Sequence, residues 1–238
     1  MRLIRSVLFI ILMYLLMLVM GILCAPLAIY SRDGAYWSMK TYVRIVLWLL
    51  KVLCGLRTEV RGTVPMGEVV VCSKHQSFLD ILVLAGALDR FKFIMKQELK
   101  WAPILGLYAM RIGCAPVNRG KGGGAVRQMM DTVENERADP GQTIIYAQGT
   151  RVPPGEKRPY KIGAGVLYQR LGQPAALVAT NVGVFWGKRS VYRHPGVAVV
   201  EFLEMVEPGL APTEFIALAE ERIEAASDAL MHEAGYRP

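Results

Sequence analysis

A histidine and an aspartate five positions apart, His75 and Asp80, are the residues of this sequence best suited to catalysis. They follow residues 69–72, an apolar run typical of a buried strand, and the aspartate falls in the first turn of a predicted helix. Ligands of α/β sheets bind at such strand ends. From that turn the carboxylate can reach back to the imidazole, fix one tautomer and raise the basicity of the ring. The pair therefore predicts a general base, His75, that Asp80 orients.

The same spacing also arises by chance, and it fits a capped helix start in which Asp80 stabilises the first turn. Ser77 is close enough to His75 in sequence to be a nucleophile, but a serine at a helix start more often caps the helix. The sequence contains no G-x-S-x-G motif, which disfavours a serine hydrolase of the α/β type. A catalytic pair and a structural helix cap are the two interpretations of the segment.

Two further segments place cations where an anionic substrate could bind. Residues 113–124 carry Arg119 and Lys121 among glycines, between a predicted strand and a predicted helix. The N–H groups of such a helix start can hold phosphate, although the P-loop pattern is absent and a flexible connector explains the glycines equally well. Residues 146–151 follow another strand and end in Arg151, which can bind phosphate through two hydrogen bonds or be an exposed loop arginine.

The elements that must position these residues alternate between short β-like runs and helical stretches. Predicted strands cover residues 69–72, 91–95, 114–117, 143–146, 175–179 and 197–203. Predicted helices cover residues 78–88, 99–110, 125–136, 164–171 and 213–232. The alternation indicates an α/β domain with a mixed sheet flanked by helices.

The N-terminal region is apolar enough to attach the protein to a membrane. Residues 7–30 contain no charge and are long enough to cross a bilayer, or to insert into it as part of a hairpin. Arg2 and Arg5 resemble the start of a signal peptide, but the apolar run is too long and lacks a small-x-small cleavage site. We therefore expect an uncleaved membrane anchor.

A second apolar stretch, residues 36–56, is interrupted by Lys40, Arg44 and Lys51, which fall within roughly a 40° sector of a helix. We expect Trp37 and Trp48 on the wide apolar face that this stripe leaves. The pattern fits an interfacial helix whose cations face lipid headgroups, or a helix packed on the domain with one solvated face.

Pro26 and the turn at residues 31–34 would join these two helices into an N-terminal membrane-anchoring helical hairpin. The chain then divides into a membrane anchor with an interfacial helix, residues 1–58, and a catalytic domain, residues 59–238.

Charge is distributed unevenly along the chain, whose formal net charge is +8. Residues 151–193 carry eight cations against one acid, Glu156, whereas the segment after Glu201 is strongly acidic. We expect the basic middle to face an anionic surface and the acidic tail to point away from it. A nucleic-acid partner is disfavoured, because the cations lie beside a membrane anchor and no nucleic-acid-binding module is present.

The four cysteines are scattered along the chain, with no C-x-x-C pair and no histidine at ligand spacing. This pattern argues against a metal site and against a disulfide framework. We expect no metal and no cofactor.

In their order and spacing, the segments resemble the glycerolipid acyltransferase family that includes 1-acylglycerol-3-phosphate acyltransferases, over about residues 36–235. Residues 74–80 are similar to the N-H-x-S-x-x-D block of that family, with Lys74 where asparagine is common. The third block, usually P-E-G-T-R, corresponds to residues 147–151, where Ala147 and Gln148 replace proline and glutamate. The second and fourth blocks correspond to residues 117–119 and 175–181.

The resemblance implies a catalytic pair, His75 and Asp80, and a set of residues that bind the substrate. The substrate-binding residues are Lys96, Arg119, Gln148, Gly149, Thr150 and Arg151. Within this set, Lys96 is similar to a lysine that the family uses near the substrate phosphate, and Arg119 to an arginine that contacts the acceptor.

The implied reaction is a direct acyl transfer without an acyl-enzyme. His75 deprotonates the hydroxyl of a lysophospholipid, 1-acyl-sn-glycerol-3-phosphate, which attacks the thioester of acyl-ACP or acyl-CoA and gives phosphatidate for phospholipid biosynthesis. The implied location is the cell inner membrane, with the catalytic domain on its cytoplasmic face and the lipid bilayer as a partner.

Gln148 keeps the size and an acceptor oxygen of the usual glutamate but loses its charge. Two alternatives follow from this departure. The acceptor could be another lysolipid, such as lyso-ornithine lipid, or the chain could be a non-catalytic lipid-binding paralogue. The intact pair of His75 and Asp80 weakens the second alternative.

Overall fold

The computed structural model describes residues 1–118, 123–135 and 140–237. Within these ranges the strands are β1 (Leu56–Arg61), β2 (Val69–Ser73), β3 (Phe91–Lys96), β4 (Ala115–Val117), β5 (Gln142–Tyr146), β6 (Ala175–Thr180) and β7 (Gly196–Val206). The α-helices are α1 (Arg2–Leu23), α2 (Ala25–Tyr30), α3 (Arg32–Cys54), α4 (Leu79–Ala87), α5 (Leu105–Arg111), α6 (Gly123–Asn135), α7 (Ile162–Leu171), α8 (Val182–Phe185) and α9 (Pro212–Glu233). A short 3-10 helix, Gln97–Trp101, precedes α5.

The described strands form one sheet in the order β1-β7-β6-β2-β5-β3-β4. From β6 to β4 in that order the strands are parallel, whereas β7 pairs antiparallel with β6 and parallel with β1. The carboxyl ends of the parallel strands therefore meet at one edge of the sheet, where ligands bind in α/β proteins. The predicted fold, a mixed sheet flanked by helices, is confirmed.

Helices cover both faces of this sheet, and the central strand β2 is buried along its whole length. Val69 and Val71 of β2 belong to a core shared with α1, α3, α4 and α5. Val70 and Cys72 belong to a second core shared with α6, α7 and α9. Because successive side chains of a strand point to opposite faces, β2 is held between two layers. The loop that follows β2 therefore starts from a fixed point.

The apolar run at residues 7–30 is not one helix, as the length of the run suggested. α1 ends at Leu23, the helix is interrupted at Cys24, and Pro26 lies in the first turn of the separate helix α2. Proline has no N–H to donate in a helix interior but is well accommodated in a first turn, so it begins a new helix here. α2 connects α1 to α3, and α1 packs against α3 in a hairpin.

α1 is long and apolar enough to cross a membrane, yet residues near both of its ends contact the rest of the fold. The N–H of Arg193 donates to Ser6 Oγ at 3.0 Å, and the Tyr108 hydroxyl donates to the carbonyl of Gly21 at 3.2 Å. The helix therefore lies along the domain. Its remaining surface exposes a series of large apolar side chains.

α3 begins at Arg32, four residues earlier than predicted, because Ser31 caps it by accepting a hydrogen bond from the N–H of Gly34 at 2.9 Å. The expected turn at residues 31–34 is thus the first turn of the helix. Val43 and Leu50 on its inner face are fully packed into the core.

The outer face of α3 differs from the expectation. Trp37 and Trp48, which we expected on an apolar face away from the cations, are 57% and 59% exposed. They share the exposed face with Arg44 and Lys51. At about 100° per residue these four positions fall on one side of the helix. α3 therefore has one face packed on the domain and an opposite, exposed face that carries both tryptophans and cations.

Two differences elsewhere have local causes. β1 was not predicted, because an edge strand with the alternating charged sequence L-R-T-E-V-R resembles a polar loop. The single helix predicted at residues 99–110 is a 3-10 helix followed by α5. Between them stand Pro103 and Ile104, and the φ angle of Ile104 is 62°, so the helix cannot run through.

Candidate active site

His75 and Asp80 meet at the carboxyl end of β2. His75 Nδ1 lies 2.9 Å from Asp80 Oδ1, and the histidine is 8% exposed. Asp80 is in the first turn of α4, as predicted, and its side chain is fully buried. An ionised carboxylate only accepts hydrogen bonds, so Nδ1 donates its proton to Asp80. This leaves the lone pair of Nε2 available to accept a proton from a substrate.

The second oxygen of Asp80 holds the loop that carries His75. Oδ2 accepts hydrogen bonds from the N–H groups of Gln76 and Ser77, both at 2.9 Å. One oxygen of Asp80 therefore contacts the imidazole, as a catalytic pair requires, and the other holds the loop that precedes α4. The Ser77 hydroxyl accepts a hydrogen bond from the N–H of Leu79 at 3.2 Å, in keeping with a capping role.

Tyr146, the last residue of β5, supports the imidazole from below. Its ring stacks on His75 with centroids 3.8 Å apart and planes 15° from parallel. No motif in the sequence singles out Tyr146, although it ends the strand next to β2 and is in register with Ser73. Burial, and next the charge of Asp80, raise the pKa of the Tyr146 hydroxyl well above its usual value, while Arg151 lowers it. The phenol is therefore neutral, and its oxygen has no hydrogen-bond partner among the described residues.

The loop after β5, which carries Gly149 to Arg151, lies against the loop that carries His75. The N–H of Val152 donates to the carbonyl oxygen of His75 at 2.8 Å, which ties the backbone after Arg151 to the loop of the candidate base. Thr150 and Arg151 are half-buried, and Lys188 Nζ donates to the Arg151 carbonyl at 3.0 Å. The structure therefore brings Arg151 to the same sheet edge as His75, as we expected for a shared site.

Gly149 and Lys161 form a close contact beside Arg151. Gly149 has a φ of 69°, and a Cβ at this position would lie 3.1 Å from Lys161 Nζ. The positive φ therefore favours glycine here, and a Cβ would in addition press on the end of the Lys161 side chain. Sequence analysis counted Lys161 in the basic middle without assigning it to the site. Lys161 is exposed, and its ammonium reaches Gly149, two residues before Arg151 in the chain.

Gln148 has a different position from the rest of its motif. Gln148 is 2% exposed, and its side chain points to α9. Its Nε2 donates to Glu224 Oε1 of α9 at 3.3 Å and to the carbonyl of Arg158, in the loop after β5, at 3.4 Å. We expected Gln148 to bind the substrate directly. The structure places it in a buried network behind the site, because the turn at Gly149 directs residues 148 and 151 differently.

Lys96 belongs to an outer strand at the same edge of the sheet. Lys96 ends β3, is exposed and pairs in register with Val117 of β4, the first residue of the second block. Arg119 lies outside the described residues. Asn118, next to it, donates its N–H to Gln128 Oε1 at 3.3 Å.

Arg193 and Glu224 depart from the expected arrangement of charge. Arg193 is only 5% exposed and lies 3.8 Å from the ring of Trp186, and burial lowers its pKa to about 10. It stabilises the packing of α1 rather than facing an anionic surface. Glu224 of the acidic tail points inward, toward the site.

Among the described residues no group of three or more His, Cys, Asp or Glu side chains could hold a metal ion.

The class of the protein is given by its family. Residues 57–195 match the family model described as acyltransferase, which covers more than half of the chain, so this chain belongs to the acyltransferase family.

The particular relatives agree with one another. A 1-acyl-sn-glycerol-3-phosphate acyltransferase of Pseudomonas aeruginosa is 28% identical over 202 residues, which are 83% of this chain and 78% of the relative. The alpha form of the same enzyme from Mus musculus is 32% identical over 185 residues, which are 75% of this chain and 65% of the relative. The chain thus spans about two thirds of the mouse relative.

A solved structure shares the fold. The crystal structure of the 1-acyl-sn-glycerophosphate (LPA) acyltransferase from Thermotoga maritima superposes with a TM-score of 0.77. The match covers 97% of this chain and 99% of that one at 19% sequence identity. The N-terminal helices and the sheet domain therefore form one fold that the two proteins have in common.

Proposed function

We propose that this protein is a 1-acyl-sn-glycerol-3-phosphate O-acyltransferase. It transfers a fatty acyl group from a thioester to the free hydroxyl of the lysophospholipid and forms phosphatidate. The observation that carries the proposal is the buried contact between His75 and Asp80 at the carboxyl edge of the sheet, in a chain of the acyltransferase family. The names of the relatives supply the substrate class.

The geometry supports direct transfer with His75 as the general base. Nε2 accepts the proton of the acceptor hydroxyl while the oxygen attacks the thioester carbonyl. The new C–O ester bond forms, the C–S bond breaks, and the imidazolium returns its proton to the departing thiolate. Asp80 stabilises the imidazolium and keeps Nε2 free in the resting state. Ser77 is not needed as a nucleophile, and its hydroxyl is engaged at the start of α4.

The exposed cations of this edge bind the phosphate of the acceptor. Arg151 offers a planar pair of donors, and Lys161 adds a point charge beside it. Lys96 lies on the outer part of the edge, and Arg119 completes the set that we propose. Gly149 and Thr150 shape the turn that presents Arg151. Gln148 acts indirectly, through the buried network. The presence of glutamine where the family usually has glutamate therefore gives no direct reason to expect a different lysolipid.

Residues 1–58 attach the enzyme to the bilayer. Since α1 contacts the domain near both ends, we propose that it lies along the cytoplasmic face of the inner membrane with its exposed apolar side in lipid. The exposed tryptophans and cations of α3 suit the headgroup region. The protein should then stay with membranes through a high-salt wash, and release by salt alone would contradict an apolar anchor.

The acyl donor, acyl-ACP or acyl-CoA, is to be distinguished in the same assay that tests the reaction. The full chain, purified in detergent, is given 1-acyl-sn-glycerol-3-phosphate with each donor, and phosphatidate is quantified. We expect product with at least one donor, and a loss of about 10²–10⁴-fold in kcat for His75→Ala. His232→Ala, which removes an exposed histidine, is the matched control. Turnover of His75→Ala at the wild-type rate would overturn the mechanism.

A further inference from the structure

The C-terminal helix α9 is bonded to the loops of the site turn after turn. Its inner face accepts the N–H of Tyr160 at Glu220 and the N–H of Thr180 at Ser227, at 3.1 and 3.2 Å. One turn further on, Gln76 Nε2 donates to the sulfur of Met231 at 3.4 Å. α9 therefore packs against the loops that carry the candidate base.

At the centre of this face, the carboxylate of Glu224 accepts three hydrogen bonds. Lys74 Nζ donates to Oε2 at 2.5 Å, while the Tyr160 hydroxyl and Gln148 Nε2 donate to Oε1 at 3.0 and 3.3 Å. The side chains of Lys74 and Glu224 are 1% and 16% exposed. The two side chains form an ion pair that is largely buried, and both oxygens of the carboxylate accept hydrogen bonds.

A buried ion pair is stable only while both charges are present. Two charges withdrawn from water lose their hydration, and removal of one leaves the other buried and uncompensated. The pair also has a specific position, because Lys74 directly precedes His75 in the chain. Gln148 comes two residues after Tyr146, which stacks on the imidazole. Glu224 thus connects the two loops that hold the base.

The network links two departures that look independent in the sequence. Residue 74, commonly asparagine in the family that this chain resembles, is lysine, and residue 148, commonly glutamate, is glutamine. Relative to that pattern the site gains a positive charge and loses a negative one. In the structure both residues bond to the same carboxylate, which α9 provides at Glu224.

We propose that Glu224 is a positioning residue for catalysis, whose carboxylate takes the place of the one usually carried at residue 148. Its bonds to Lys74 and Gln148 fix the loop of His75 relative to Tyr146. This inference rests on the proposed role of His75 as the base. It assigns no contact with the substrate to Glu224.

The test begins with Glu224→Gln, which keeps the shape and removes the charge. Lys74 is then buried without a counter-charge, and the loop of His75 shifts or loosens. We expect kcat to fall roughly 10- to 100-fold, as misplacement of a catalytic group by about 1 Å does, with KM for the acceptor changed less than about twofold. Glu221→Gln, the same change at an exposed position of α9, is the control.

The second arm returns the carboxylate to residue 148. Lys74→Asn, Gln148→Glu and Glu224→Gln are combined in one chain and compared with Lys74→Asn plus Gln148→Glu alone, in which two carboxylates face each other. If the three positions act as a unit, the triple variant recovers kcat to within about threefold of the wild type, while the double variant does not. This comparison also decides the matter if Glu224→Gln alone fails to fold.

Three results would overturn the inference. The first is an unchanged kcat in Glu224→Gln, and the second is a lower yield or melting temperature with unchanged kcat per folded molecule, which indicates a structural role only. The third is a triple variant that is inactive or unfolded. None of these touches the proposed function, which depends separately on the loss of turnover in His75→Ala.

Discussion

The two sides of the site differ in burial and charge: one consists of buried, hydrogen-bonded residues and the other of cations that solvent reaches. The buried side consists of His75 with Asp80, Tyr146 and Glu224, whose polar atoms, apart from the Tyr146 hydroxyl and His75 Nε2, are bonded to neighbouring groups. The exposed edge consists, in the described ranges, of Lys96 at the end of β3 and of the half-buried Arg151 and the exposed Lys161 in the loop after β5. Buried hydrogen-bonded groups hold fixed positions, whereas solvated cations attract an anion over a distance. From this comparison we propose that the buried side sets the rate of the chemical step and that the exposed edge sets the affinity for the acceptor.

The largest effect after loss of the base itself should come from Asp80→Asn. An amide at this position keeps one oxygen for the N–H groups of Gln76 and Ser77, so its NH₂ faces His75 Nδ1. The proton then moves to Nε2, which can no longer act as a base. We expect kcat to fall by roughly 10²–10⁴-fold with the fold intact, as checked by circular dichroism and steady-state kinetics. Asp131→Asn, on the exposed side of α6, should have no effect.

Arg151→Ala should act on KM instead. Loss of charge-assisted hydrogen bonds to a phosphate is expected to raise KM for the acceptor roughly 10- to 100-fold and to leave kcat nearly unchanged. Arg151→Lys should restore only part of the affinity, because lysine cannot form the planar two-bond contact. Arg57→Ala, an exposed arginine on β1, is the control. A defect confined to kcat would place Arg151 on the buried side of the comparison.

Lys161→Ala should have a smaller effect of the same kind. Its ammonium is exposed beside Gly149 and is therefore screened by solvent and salt. We expect KM to rise by about three- to tenfold, less at high ionic strength. Lys157→Ala removes an exposed lysine of the same loop and should change KM by much less. Equal effects from the two substitutions would indicate general attraction by the loop rather than a contact at the site.

The smallest effect should come from Tyr146→Phe. The hydroxyl is buried near Asp80 and Arg151 but makes no hydrogen bond in the described ranges, so its removal breaks none there, and the ring continues to stack on His75. We expect kcat within about twofold of the wild type, whereas Tyr146→Leu, which removes the stacked ring, should lower kcat by up to about tenfold. A large loss in Tyr146→Phe would show that the hydroxyl takes part in the chemistry.

The sequence predicts those parts of this site that depend on short-range contacts. His75 and Asp80 are five residues apart, so the short loop after β2 and the first turn of α4 bring their side chains together. The α/β class was predictable because short β-like runs alternate with helical stretches along the chain. Arg151 could be assigned to the site because it follows the strand adjacent to β2.

Contacts between distant parts of the chain could not be predicted. Glu224 lies 150 residues from Lys74 and was counted with an acidic tail, since nothing local distinguishes it from the exposed acids around it. Arg193 was counted with the basic middle, although it packs on Trp186 under α1. The break between the 3-10 helix and α5 had a visible signal in Pro103, which the helical periodicity outweighed.

The division of labour is tested most directly by kinetics of His75→Ala and Arg151→Ala measured side by side, with the acceptor varied at saturating donor. We predict that His75→Ala shows almost no turnover at any acceptor concentration. Arg151→Ala should approach the wild-type kcat once the acceptor is raised far enough. Near-native turnover by His75→Ala, or an Arg151→Ala variant whose kcat no concentration of acceptor restores, would contradict the account.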